Sequence, residues 1–199
     1  DDIDTQELEL PNFFDDSVDI DAGAYLNWRF DINRDLESQF FDMGKGYFQT
    51  ALELIEKCLS DNSDKKADIW IFPIMFNIVH GIEIYLKGFN SLYQIHTELQ
   101  ATGYVQESKI EGNHDIRQLC QVAMKRLRDT NNTELKDELL FVKKFIDILY
   151  ANTDDMTFAR YPVNSKKEAH FYAKSSNNVV VDLNVLRQWV KRLFIILEG

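Results

Sequence analysis

Leu36, Phe40, Met43, Tyr47, Ala51, Leu54 and Cys58 follow one another at intervals of 4, 3, 4, 4, 3 and 4 residues. That spacing matches the 3.6-residue period of an α-helix over about six turns, and no strand can use it, because strand side chains repeat every second residue. It predicts a helix over 34–59, ended by the polar run Asp61-Asn62-Ser63-Asp64. Gly44 and Gly46 on this helix give up helix propensity and allow close packing by a neighbour.

A second helix is predicted over 69–99. Its start is apolar almost all round (Ile69, Trp70, Ile71, Phe72, Ile74, Met75, Phe76, Ile78, Val79), which marks it as the central helix of a bundle or as a dimer surface. Pro73 fits a first helical turn, so regular helix is expected to begin just before it. A connection over 101–112 leads to a third helix, capped by Asn113 or Asp115, with Ile116, Leu119, Cys120, Ala123 and Leu127 inward. Thr133 is placed to cap a fourth, with the stripe Leu135, Leu139, Val142, Ile146, Leu149, and short links of this kind imply antiparallel neighbours. Asp182 is placed to cap the last helix, with Leu183, Leu186, Val190, Leu193 and Leu197 inward. Between them, 152–181 is polar and irregular, with β-favouring pieces at 157–161 and 169–173 that suggest a small hairpin or lid. The expected fold is all-α: an antiparallel bundle of about five helices over 33–199, preceded by an extended acidic arm over 1–32. Tyr25, Leu26, Trp28 and Phe30 are expected to pin that arm to the bundle.

The formal charge of −11 is concentrated in the arm. Residues 1–21 hold nine acids and no base, while the rest of the chain balances 24 acids against 22 bases. From 156 onward seven bases face three acids, so a polyanion could meet the C-terminal end while the arm repels it. The ordinary explanation of such an arm is a solvated tail; the functional one is a mimic of nucleic acid or a docking segment for a basic partner. Cys58 and Cys120 fall at inward helical positions, as thiols of a reducing compartment do, and point to the cytoplasm. No uninterrupted run of 18 apolar residues occurs, so no membrane span is expected.

Cofactor and metal chemistry find no motif. His80, His96, His114 and His170 form no His-x3-His pair, the two cysteines have no CxxC spacing, and no Gly-rich phosphate loop is present. No metal and no cofactor is expected, and His80, mid-helix among apolar residues, reads as a core histidine. Three polar features remain. Glu83 and Lys87 are an i,i+4 pair on the central helix, ordinarily a surface salt bridge. His114 and Asp115 open the third helix, where Asp115 is ordinarily a cap; His114 could reach Glu83 if the second and third helices pack antiparallel. Arg160 and Tyr161 precede Pro162 in the irregular segment, followed by His170, and an Arg there ordinarily anchors its loop.

Glu83-Ile84-Tyr85-Leu86-Lys87, His114-Asp115-Ile116-Arg117-Gln118-Leu119 and Arg160-Tyr161-Pro162, in this order on a helical chain, resemble the HEPN family (higher-eukaryote and prokaryote nucleotide-binding domains) over 34–199. The resemblance implies a helical bundle that commonly forms a homodimer, binds a protein partner or antitoxin, and works on RNA or nucleotide. Many such proteins are metal-independent ribonucleases of toxin–antitoxin, phage-defence or RNA-processing systems. Their Arg and His lie about four to six residues apart, the His moving the 2′-hydroxyl proton and the Arg steadying the phosphate. Here Arg160 and His170 are separated by nine residues, and His114 has no Arg before it at that spacing. The expectation is therefore a non-catalytic dimeric or partner-binding module, with Arg160 packed on the bundle and the apolar start of the second helix at an interface. The alternative is a divergent ribonuclease using Arg160 with His170 or His114, with Glu83, Lys87, Asp115 and Tyr161 as binding residues.

Overall fold

The computed structural model describes residues 14, 21–31, 33–105, 110–131, 133–153, 155–168, 170 and 179–198. The chain divides into two compact units, Asp1–Asp31 and Ile32–Gly199. In the first, Leu26–Arg29 form a single helical turn, α1, where extended chain was expected. Tyr25 and Leu26 carry exposed side chains there. The acidic stretch before Asp21 lies, but for Phe14, outside the described residues.

The second unit is all-α among the described residues, where five α-helices build it: α2 (Leu36–Ser60), α3 (Ala67–Thr102), α4 (Ile116–Asp129), α5 (Lys136–Asn152) and α6 (Leu183–Glu198). There is no strand among the described residues. Asp35 caps α2 by accepting from Ser38 N at 2.7 Å, Asp115 caps α4 through Arg117 N and Gln118 N, and Asp182 caps α6 through Asn184 N and Val185 N. Each satisfies orphan amides of a first helical turn. Thr133 does not cap α5, which starts after Leu135 without a side-chain cap.

α2 and α3 pack closely and antiparallel: Glu37 meets Ser91, Phe48 meets Gly81, and a Cβ built at Gly88 would lie 2.9 Å from Phe40 Cβ. Gly44 contributes to this approach, its Cβ position lying 3.5 Å from the Gly81 carbonyl oxygen, whereas Gly46 faces open space. The buried stripe of α2 is Phe48, Ala51, Ile55 and Cys58, continued by Gly44. It is rotated from the predicted stripe, of which Leu36 and Met43 are exposed. The reason is that α2 lies between two neighbours, α3 and α6, so its apolar surface is wider than one row. α6 runs antiparallel to α2: Arg187 and Lys191 are both bonded to Glu56, and Phe194, further along α6, lies under Lys45, nearer the start of α2. Trp189 of α6 packs against Phe141 and Phe145 of α5 with tilted rings.

α3 starts at Ala67 and includes Pro73 well inside it, not in its first turn. Proline there removes the amide that would bond the Ile69 carbonyl; Ile69 lies on an exposed face where water can serve instead. The most buried part of α3 is also not its apolar start but the stretch 81–91, covered by α2, α4 and the turn after α5. By length and composition alone α3 could cross a membrane, the one such helix among the described residues. In this fold it is the core helix.

α4 starts beside Glu83 and passes Asn90, whose Nδ2 donates to the Leu119 carbonyl at 3.1 Å. It therefore runs in the same general direction as α3, contrary to the antiparallel expectation. The connection 103–115 makes this possible. It must return along about 28 Å of α3, within the reach of a dozen extended residues. The inward residues predicted for α4 are all buried, as are Leu139, Val142, Ile146 and Leu149 of α5 and Leu186, Val190 and Leu193 of α6. Leu135 is exposed. Of the two β-favouring pieces, the first is a 3-10 turn, Met156–Ala159, that inserts Phe158 and Ala159 into the core. The second lies almost wholly outside the described residues. Between them Asn164 folds a tight turn, accepting from Lys166 N and Glu168 N, with Lys167 at φ 63°.

Candidate functional site

A polar row runs along the central helix at His80, Glu83, Lys87 and Asn90, spaced by 3, 4 and 3 residues and therefore on one face. That face looks toward the start of α4. Glu83 Oε1 accepts from Lys87 Nζ at 3.0 Å and from His114 Nδ1 at 2.7 Å, while His80 Nδ1 lies 3.5 Å from Oε2. Glu83 and Lys87 are buried, so the pair is no surface salt bridge. The imidazole of His114 is 79% exposed, held at one edge only. With Nδ1–H donating to the carboxylate, Nε2 on the opposite edge is left as an acceptor.

Burial by itself raises the Glu83 carboxyl. Hydrogen bonds from Lys87 and His114, followed by the charges of Lys87 and His80, outweigh that and hold it below the usual carboxylate value. The carboxylate is thus ionised at neutral pH. The Lys87 ammonium lies 3.5 Å from His114 Nδ1. Among the described residues no group of three His, Cys, Asp or Glu side chains is placed to hold a metal ion.

From sequence His80 reads as a core histidine; in the structure its half-buried ring closes this cluster. Its ring is stacked on Phe76 at 5.5 Å and edge-on to Tyr47 at 4.7 Å. The signal that could have found it is the i,i+3 relation to Glu83.

Asp115, besides capping α4, accepts from Tyr150 Oη at 3.0 Å. The Arg117 guanidinium lies 3.7 Å from the centre of the Tyr150 ring. Burial, then the bond to Asp115, pushes the Tyr150 phenol up to about 12, which keeps it a donor. These contacts seat the end of α5 against the start of α4, and the segment carrying Arg160 leaves from that same end.

There the second cluster forms around Asp155. Its carboxylate accepts from Thr157 N at 2.9 Å and Thr157 Oγ1 at 2.6 Å, and lies 3.6 Å from His170 Nδ1. The Thr157 hydroxyl bond, opposed by burial, and then the His170 and Arg160 charges lower the Asp155 carboxyl. His170 is therefore brought to the Asp155 carboxylate, while Arg160 acts on it only through its charge. Their accessibility differs: the His170 side chain is only 4% exposed, and its Nε2 has no hydrogen-bond partner among the described residues. Arg160 is exposed; its guanidinium lies over its neighbour Tyr161, 5.7 Å from the ring centre, and Tyr161 is itself exposed.

Of the predicted residues, Glu83, Lys87 and His114 form one group with Asp115 adjoining, His170 lies at Asp155, and Arg160 and Tyr161 stand exposed beside one another. The chain matches no protein-family model, no curated protein and no solved structure.

Proposed function

We propose that this protein is a HEPN-like, non-catalytic binding module of the cytoplasm, of the bacterial defence or toxin–antitoxin type, whose first partner is a second copy of itself. The observation that carries this reading is an uncovered apolar face. Ile69 and Phe72 at the start of α3 are 73% and 43% exposed, and they continue through Phe76 to Tyr47 and Met43 of α2. Ile69, Phe72 and Phe76 follow an i, i+3, i+7 spacing, the stripe a helix presents to a partner helix. A chain of net charge −11 repels its own copies. From Ile69 to Ile82 there is no acid and no base apart from the His80 imidazole, so two copies meet here without that repulsion. Two buried free thiols, Cys58 and Cys120, support a reducing compartment.

Light scattering on the eluting protein tests it. The native chain is expected to elute as a dimer, and Ile69→Glu with Phe72→Glu as a monomer of unchanged helicity. Leu99→Glu, also exposed but about 45 Å further along α3, is expected to remain dimeric. A native monomer, or a dimer indifferent to the charges at 69 and 72, rejects the reading.

A second reading, a divergent metal-independent ribonuclease, is favoured by one observation: the exposed His114 ring is oriented by a buried carboxylate, as general bases are. In that reading His114 takes the 2′-hydroxyl proton and Arg160 holds the phosphate. The burial of His170 opposes its use on RNA. The expected result is no cleavage of single-stranded RNA in EDTA. Cleavage lost on His114→Ala and on Arg160→Ala would replace the first reading by the second.

A further inference from the structure

A second surface lies between α4 and α5, reaching the Asp115–Tyr150 contact through Arg117 at one end. α4 and α5 leave between them a hollow of about 180 Å³. Its floor is apolar: Cys120, Met124 and Ile146. Burial pushes the Cys120 thiol up to about 11, so the floor is uncharged at neutral pH. Its rim is cationic: Arg117 and Arg128 on α4 and Lys143 on α5, with Asp147 paired to Lys143. Arg117 and Arg128 make no ion pair among the described residues, and both are exposed.

Arg117, Cys120, Met124 and Arg128 share one face of α4, at i, i+3, i+7 and i+11. The two arginines therefore bracket the hollow about 16 Å apart. An extended peptide covers that span in about five residues. The hollow is about the size of the cavities that accept a benzene ring, and two of its three floor residues carry sulfur, which makes favourable contacts with aromatic rings. Arg117 is already stacked on Tyr150, so its guanidinium edge is held in place before any ligand arrives. A nucleobase would find hydrogen-bonding groups only at the rim, in Arg117, Gln121, Arg128, Lys143 and Asp147, while the apolar floor would leave the rest of its polar edges without partners.

We propose that the α4–α5 hollow is a docking site for an extended acidic peptide of a partner protein, seating one aromatic side chain between carboxylates that meet Arg117 and Arg128. This rests on the partner-binding reading but uses a surface separate from the self-association face.

The test is fluorescence anisotropy with a labelled peptide carrying a phenylalanine flanked by aspartates, added to the full chain at low salt. Arg117→Glu and Arg128→Glu are each expected to weaken binding about tenfold, and raising salt to weaken it further. The same peptide with alanine for phenylalanine is expected to bind at least about tenfold more weakly, a comparison that leaves the protein unaltered. Arginine substitutions without effect, or an alanine peptide that binds equally well, overturn the proposal. So does a single-stranded RNA that displaces the peptide at lower concentration than unlabelled peptide does, which assigns the surface to nucleic acid. Ile69→Glu with Phe72→Glu is expected to leave peptide binding intact, so failure of the dimer reading and failure of this one are read separately.

Discussion

Glu83→Ala is expected to cost about 3–5 kcal/mol of folding stability, because it strands the Lys87 ammonium in a buried site. Lys87 has a side-chain exposure of 10% and its bond to Glu83 is 3.0 Å long. In urea unfolding followed by circular dichroism, the midpoint is expected to fall with little change in slope. Glu83→Leu combined with Lys87→Met removes both charges and fills the space, and is expected to recover most of the loss, since well-packed apolar replacements of a buried pair are often neutral. A single Glu83→Ala effect below about 1 kcal/mol would mean the pair is open to water. The pH dependence has a definite sign. The folded carboxyl lies below its usual value of 4.5, so its contribution is complete above about that pH and is lost as pH falls through the folded value. The native protein is expected to lose stability on that acid side through this group, and the doubly apolar variant to lack this component. His114→Ala leaves the Lys87 bond in place and removes an exposed ring, so a much smaller change is expected.

This cluster also shows what was legible in the sequence. The i,i+4 relation of Glu83 to Lys87 and the cap at Asp115 are local facts, set by helical periodicity and hydrogen-bond demand, and both can be read from residue order. That His114 would join Glu83 was raised on the premise of antiparallel helices. The contact forms, yet α4 runs along α3 in the same general direction, because the long connection 103–115 carries the chain back before the helix starts. Residue order does not contain that path. The same limit explains α2. A single row of apolar residues was read where two neighbours, α3 and α6, each take a face, so Phe48 and Ile55 were missed while Ala51 and Cys58 were found. For α4, whose apolar residues form one narrow row, every inward residue was identified. At 157–161, β-favouring residues form a 3-10 turn because Asp155 caps it and Phe158 is drawn into the core. Propensity yields there to a cap and a buried ring.

Phe48→Ala is expected to cost about 3–5 kcal/mol, the usual loss for emptying a fully buried ring, and its coupling to Gly81 tests how α2 and α3 approach. Phe48 is 0% exposed. A Cβ at Gly81 would lie 3.0 Å from Phe48 Cε2, with two more ring atoms at 3.2 Å. Gly81→Ala alone gains about 1 kcal/mol of helix propensity but forces the ring against the core, which typically costs about 1–3 kcal/mol. The net is expected to be destabilising. With Phe48→Ala in place the new methyl meets no ring, so Gly81→Ala is then expected to stabilise by about 1 kcal/mol. The substitution changes sign with its background, the mark of two groups competing for one volume. Gly46→Ala on the open face of α2, with nothing within 4 Å of its Cβ position, isolates the propensity gain and is expected to stabilise in either background. Equal effects of Gly81→Ala in both backgrounds would show that the two helices shift apart freely. In that case the close approach that buries Glu83 and Lys87 would owe nothing to the missing side chain.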